Sequence, residues 1–185
     1  MNSPDTPTAT APAPLEKSAD TVTRPPQQLF WESLQSMCGQ KYSGQLTVGT
    51  EESDRKFGYA DLVIDARRCT SDAIDIGLSV DDDHSRTWMI RRHDDGLSLH
   101  HRHLGPDGKE DATSGYGGYT AEQGAPGLQQ FPADENTGQM IPAAATNVWS
   151  IEIKPNESFT YQLLREEEQR QFRIVFDLST PLDSS

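Results

Sequence analysis

His101 and His103 stand two apart in the run GLSLHHRH (residues 96–103), in step with Leu97 and Leu99. Side chains of a strand alternate between faces, so both imidazoles join an apolar row that points toward a protein interior. Residues two apart on a strand lie about 6–7 Å apart at Cα, close enough for both rings to converge on one cation. Either ring could instead act as a general acid or base near neutral pH. A third use is as a polar anchor that orients an organic ligand in an apolar pocket. The fourth is internal: the rings and their neighbours satisfy one another by hydrogen bonds, with no ligand.

The strand partners follow from turn length. With HDDG (93–96) as a four-residue turn, Arg92 faces Leu97, Ile90 faces Leu99, Trp88 faces His101 and Arg86 faces His103. Apolar positions meet apolar positions in this register, as a buried face requires. With LGPDGK (104–109) as the next turn, His103 faces Glu110 and His101 faces Ala112. The expected ligand-binding layer is therefore Arg86, Trp88, His101, His103 and Glu110. Glu110 would orient a histidine that works as acid or base. As a metal site, His101 and His103 would draw a carboxylate from Glu110 or from Asp107. The H-x-H-x3-D spacing superficially resembles the first cupin motif, but GAPGLQQ (124–130) lacks the histidine of the second, and Asp107 is the better turn residue. No Ser or Cys sits in a nucleophile elbow and no phosphate loop is present, so no cofactor is expected beyond such a metal.

These positions need strands to hold them. Alternation places Ala60, Leu62, Ile64 and Ala66 on one face, then Ile74, Ile76, Leu78 and Val80. Tyr42, Leu46 and Val48 precede them; Trp149/Ile151/Ile153, Phe159/Tyr161/Leu163 and Phe172/Ile174/Phe176/Leu178 follow toward the C-terminus. DDDHS, HDDG, GPDG, KPNES and REEEQ mark the turns between runs. Short connections imply antiparallel meander pairing, and eight or so strands with one apolar face tend to close. The expected fold is all-β: an antiparallel up-and-down, lipocalin-like β-barrel, with a β-sandwich as the alternative. One short N-terminal helix is predicted in PPQQLFWESLQSMCG, where Phe30, Leu34 and Met37 recur at helical spacing and Gly39 stops it. Residues 115–146 are weakly patterned and are expected to hold a strand or two and a long loop. Tyr116-Gly117-Gly118 reads as a bulge or tight bend, DDDH (81–84) and REEEQRQ (165–171) as solvated turns or edges.

Composition limits the partners. Apolar residues make up only 34% of the 185, in short alternating runs, which suits strands with one wet face. The net charge of −13 lies almost wholly outside the first 28 residues, which contribute −1. An acidic surface repels phosphate backbones and anionic lipid, so neither nucleic acid nor a membrane surface is expected as a partner. No run is long enough to span a bilayer as a helix. Residues 1–28, rich in Pro, Thr, Ala and Ser, hold no apolar signal-peptide core and read as a disordered tail or linker ahead of one domain over 29–180.

Cys38 and Cys69 allow one disulfide across 30 intervening residues, worth roughly 3–4 kcal/mol by loop entropy. Two separate buried thiols are the alternative. A bridge would imply an oxidising compartment.

FWESLQSMCGQKYSG, SRTWMI, GLSLHHRHLGPDGKED with YGG, and TNVWSIEI…FTYQLLRE…QFRIVFDL resemble a family of uncharacterised bacterial secreted proteins over about Phe30 to Leu178. His101, His103, Asp107, Gly108 and Asp111 fall on its motif positions. IGLSVDDDH departs from a more apolar strand end, and the GPDG turn carries a proline. The resemblance implies export to the periplasm or medium and a single domain, and no particular activity. The functions that remain are a small-ligand-binding or surface-presenting barrel, a metal-dependent or acid/base enzyme using His101 and His103, and a periplasmic interaction or inhibitor protein.

Overall fold

A computed structural model describes residues 23–183 of the chain. The expected tail over residues 1–28 falls mostly outside them; Pro26–Gln28 belong to the first helix. That helix, α1 (Pro26–Gln35), starts on a proline, whose fixed φ and missing N–H suit a first turn. It ends before Gly39, which takes the left-handed conformation at φ 78°.

Ten strands follow: β1 (Lys41–Gly49), β2 (Leu62–Cys69), β3 (Ala73–Val80), β4 (Asp83–His93), β5 (Gly96–His103), β6 (Gly117–Tyr119), β7 (Leu128–Pro132), β8 (Val148–Lys154), β9 (Ser158–Arg165) and β10 (Arg170–Asp177). They make one antiparallel sheet in the order β6-β5-β4-β3-β2-β1-β10-β9-β8-β7, so first and last strands pair and every other neighbour is consecutive in sequence. A single bridge, Gly118 to Ala133, brings β6 against β7. The fold is thus an all-β, nearly closed up-and-down barrel, and the sandwich alternative is overturned. Eight strands come from the patterned runs, and the weakly patterned 115–146 region contributes β6 and β7, the strand or two expected there.

Alternating residues fill the interior, with Ile64, Ile76, Ile90, Leu99, Ile151 and Ile174 among those fully buried. One end is covered by α1, whose Phe30, Trp31 and Leu34 are buried, together with Met37 in the turn that follows it. A disulfide between Cys38 and Cys69 joins the residues after this helix to the end of β2, and Gly39 N–H donates to Ala66 at 2.7 Å.

The opposite end carries a second helix, α2 (Arg55–Tyr59), in the β1–β2 connection. Ala60, expected to open a strand, lies just past this helix instead. Arg170 holds the segment down: its guanidinium meets both Asp54 oxygens, at 2.5 and 2.9 Å, and Glu51 at 3.0 Å. Phe57 of α2 then packs edge-on against Phe172, ring centroids 5.0 Å apart. A third helix, α3 (Glu135–Met140), follows β7; Asp134 caps it by accepting from Thr137 N–H.

Candidate functional site

The β4–β5 register is the one that the four-residue turn implies: Arg86 opposite His103, Trp88 opposite His101, Ile90 opposite Leu99 and Arg92 opposite Leu97. Arg86, Trp88, His101 and His103 all line a cavity of about 230 Å³ at the α2 end of the barrel. Phe57, Tyr116, Tyr161 and Phe172 complete its aromatic walls.

Glu110 does not join them. It pairs with Leu104 in an isolated bridge and is exposed. Ala112, expected opposite His101, is exposed as well. The second hairpin departs from the simple turn because Asp111 accepts from Thr113, at 2.9 Å from the amide and 2.8 Å from the hydroxyl, and loops the chain outward. Pairing resumes later, with His101 N–H donating to Tyr116 O at 2.8 Å. The carboxylate beside His103 is therefore Asp111, one residue past the expected one. Its Oδ2 accepts a hydrogen bond from His103 Nδ1. Hydrogen bonds from Thr113, then from His103, hold the Asp111 carboxyl below the usual carboxylate range.

His101 is 5% exposed. A backbone carbonyl can only accept, so Nδ1 carries the proton that it shares with Tyr116 O at 3.1 Å. In the neutral ring Nε2 is then an acceptor, and the Tyr161 hydroxyl donates to it at 2.8 Å. Burial pushes His101 down to about 3, neighbouring His100 adds to the effect, and the Tyr116 carbonyl opposes it. Burial likewise raises the Tyr161 hydroxyl well above its ordinary value. The pair is neutral at physiological pH. Its rings sit in an aromatic stack, His101 on Tyr116 at 4.4 Å and Trp88 on Tyr161 at 4.2 Å between centroids.

The two histidines thus have separate roles. His101 spends both nitrogens on Tyr116 and Tyr161 in the floor, whereas His103 is partly exposed at the mouth with Nδ1 on Asp111. Asp107 accepts from Lys109 N–H at 3.1 Å in the exposed turn and stays away from both rings. The expected metal ligands are not brought together, and no cluster of three His, Cys, Asp or Glu suited to a cation occurs among the described residues.

Arg86 is the second polar group at the mouth. Its Nη1 donates to Asp83, and its guanidinium carbon lies 5.7 Å from the centre of the Phe57 ring. Burial alone would raise Asp83, but hydrogen bonds from Ser85 and Arg86 hold it far below the usual range. Sequence reasoning missed Asp111, Phe57, Tyr116, Tyr161 and Phe172. For Asp111 a local signal existed, since Asp-Ala-Thr-Ser is a side-chain-capped turn; the aromatics carried no signal beyond core spacing.

No protein-family model, no curated protein and no solved structure matches this chain. No helix among the described residues is long and apolar enough to cross a membrane.

Proposed function

We propose that this barrel binds one small organic ligand in the cavity at its α2 end. The supporting observation is the cavity itself: about 230 Å³ of space with aromatic walls and two polar side chains at the mouth. Binding pockets combine apolar walls with a few convergent polar groups in this way. The volume lies below the roughly 300–1,000 Å³ of sites for drug-sized molecules, which points to a single ring with short substituents. The Cys38–Cys69 disulfide favours an exported protein, in the periplasm or outside the cell, consistent with the secreted family that the sequence resembles.

Native mass spectrometry of the purified chain, with ligand-observed NMR of a panel of single-ring aromatics, tests the reading. At least one compound should bind one-to-one and be lost in Leu78→Phe, which adds bulk to a cavity wall. Binding that survives that substitution undiminished, or a panel without a binder, would overturn it.

A second reading rests on the His103–Asp111 hydrogen bond. A carboxylate that fixes Nδ1–H leaves Nε2 available as a base on a residue that lines the cavity, as general acid–base catalysis requires. A bound panel compound whose mass changes on incubation, and does not change with His103→Gln, would favour an enzyme. An unaltered compound leaves a binding protein.

A further inference from the structure

We propose that the ligand is a planar organic anion, with its ring in the aromatic slot and its carboxylate on Arg86 and His103. The inference rests on the cavity being a ligand site and adds the chemistry of the occupant. In a chain where 29 acidic residues outnumber 16 Lys and Arg, the polar side chains at the mouth of the cavity are Arg86 and His103, and no carboxylate lines it. Donor groups without a lining carboxylate make a site that accepts an anion and offers nothing to a cation.

Arg86 and His103 are direct cross-strand partners, so their side chains leave the same face of the sheet side by side. Each is steadied by one carboxylate through one nitrogen: Arg86 by Asp83 through Nη1, His103 by Asp111 through Nδ1. Neither carboxylate lines the cavity. A guanidinium has five N–H donors in a planar fork, and one nitrogen is used here, leaving Nε and Nη2 for a second carboxylate. With Asp83 counted, Arg86 brings no net charge. The attraction comes from its directed donors, beside those of His103.

The orientation of the ligand follows from the floor. His101 and Tyr161 satisfy one another there, so the deep end asks for no polar group. Trp88, Phe57 and Phe172 offer ring faces and edges for an aromatic body. The ring therefore enters first and the anion stays at the mouth.

Benzoate, benzamide and benzylamine have nearly the same shape and differ in charge. Titrated into the full chain at neutral pH and followed by Trp fluorescence and NMR, benzoate should bind at least tenfold more tightly than benzamide, with benzylamine weakest. Arg86→Gln should weaken benzoate far more than benzamide and so erase the tenfold preference, and near-UV circular dichroism checks that the variant is folded. Should it misfold, Arg86→Lys, which keeps the charge and loses the fork, should reduce the preference severalfold. Equal binding of benzoate and benzamide, or tighter binding of benzylamine, would sink the anion and leave the cavity reading standing. No binding by these three or by the wider aromatic panel would sink both.

Discussion

The Tyr161 hydroxyl donates to Nε2 of His101 at 2.8 Å, which makes a histidine 60 residues away part of the barrel's packing. The bond exists only while the imidazole is neutral, because a protonated ring has no acceptor. His101, held down to about 3 by burial, must therefore stay uncharged in the fold and takes up a proton on unfolding near its ordinary value of 6.5. The unfolded chain binds the extra proton between those two values, so stability falls as pH drops from 6.5 toward 3. The folded-to-unfolded ratio should lose up to about tenfold per pH unit from this group. Urea titrations from pH 7 to pH 4 should show that slope, and His101→Phe should flatten it; an equal slope in the variant refutes the assignment.

Removing the hydroxyl is a different perturbation. Tyr161→Phe leaves Nε2 of His101 buried without its donor, at a cost of roughly 1–3 kcal/mol at neutral pH. Tyr161→Phe combined with His101→Phe should recover part of that loss, since no buried acceptor remains. A double-mutant cycle on denaturation midpoints measures it.

The α2 segment should depend on Asp54. Arg170 is nearly buried against it, and Asp54→Asn leaves a guanidinium with Glu51 as its remaining carboxylate. Breaking a buried pair from one side costs roughly 3–5 kcal/mol, and the remaining Glu51 contact favours the lower end. Hydrogen exchange should rise first in residues 50–61, and Phe57 should lose its place against Phe172. Uniform loosening of the whole barrel would contradict this order.

The β6–β7 seam is the weak line of the barrel. Thr137 bridges it with its hydroxyl, accepting from Gly117 N–H at 2.7 Å and donating to Gly117 O at 2.8 Å. His100 adds a 2.9 Å contact to Asp134. Thr137→Val keeps the shape and strands the Gly117 N–H, while Gly117 O keeps the Asp134 N–H at 3.0 Å, so a loss of about 1–3 kcal/mol and faster exchange of the Gly117 amide are expected. Gly118→Ala should be worse, because a Cβ there would stand 1.8 Å from Pro132 O and force the strands apart. Seam amides exchanging at the wild-type rate in either variant would show that the closure lies elsewhere.

Disulfide loss should act on the other end. Cys38→Ser with Cys69→Ser removes a cross-link between residues 31 apart, and roughly 3–4 kcal/mol of stability should go with it. Thermal melts of oxidised, reduced and substituted protein check the size, and thiol titration in denaturant should find no free thiol before reduction.

Local rules made much of this legible in the chain. Alternation marked the inward rows of β2, β3 and β8 to β10, and turn length alone placed Trp88 opposite His101 and Arg86 opposite His103. Those relations are short-range, set by a strand period of two and by hairpin geometry. Helix α1 was equally readable, since its buried face is a pattern of spacing. Glu110 marks the limit: the Asp111 turn, one residue on, competes with strand pairing, and which of the two wins depends on the loop's surroundings.

Only the nearly closed barrel decided the rest. Tyr161 meets His101, Arg170 meets Asp54, and Thr137 meets Gly117 from separations of 60, 116 and 20 residues. No period or turn encodes such pairs. The sequence determined the strands, their inward faces, the α1 cover and the nearest register. Tertiary structure decided which histidine is spent in the floor and which is left at the mouth, because burial and hydrogen-bond partners exist only once distant strands meet.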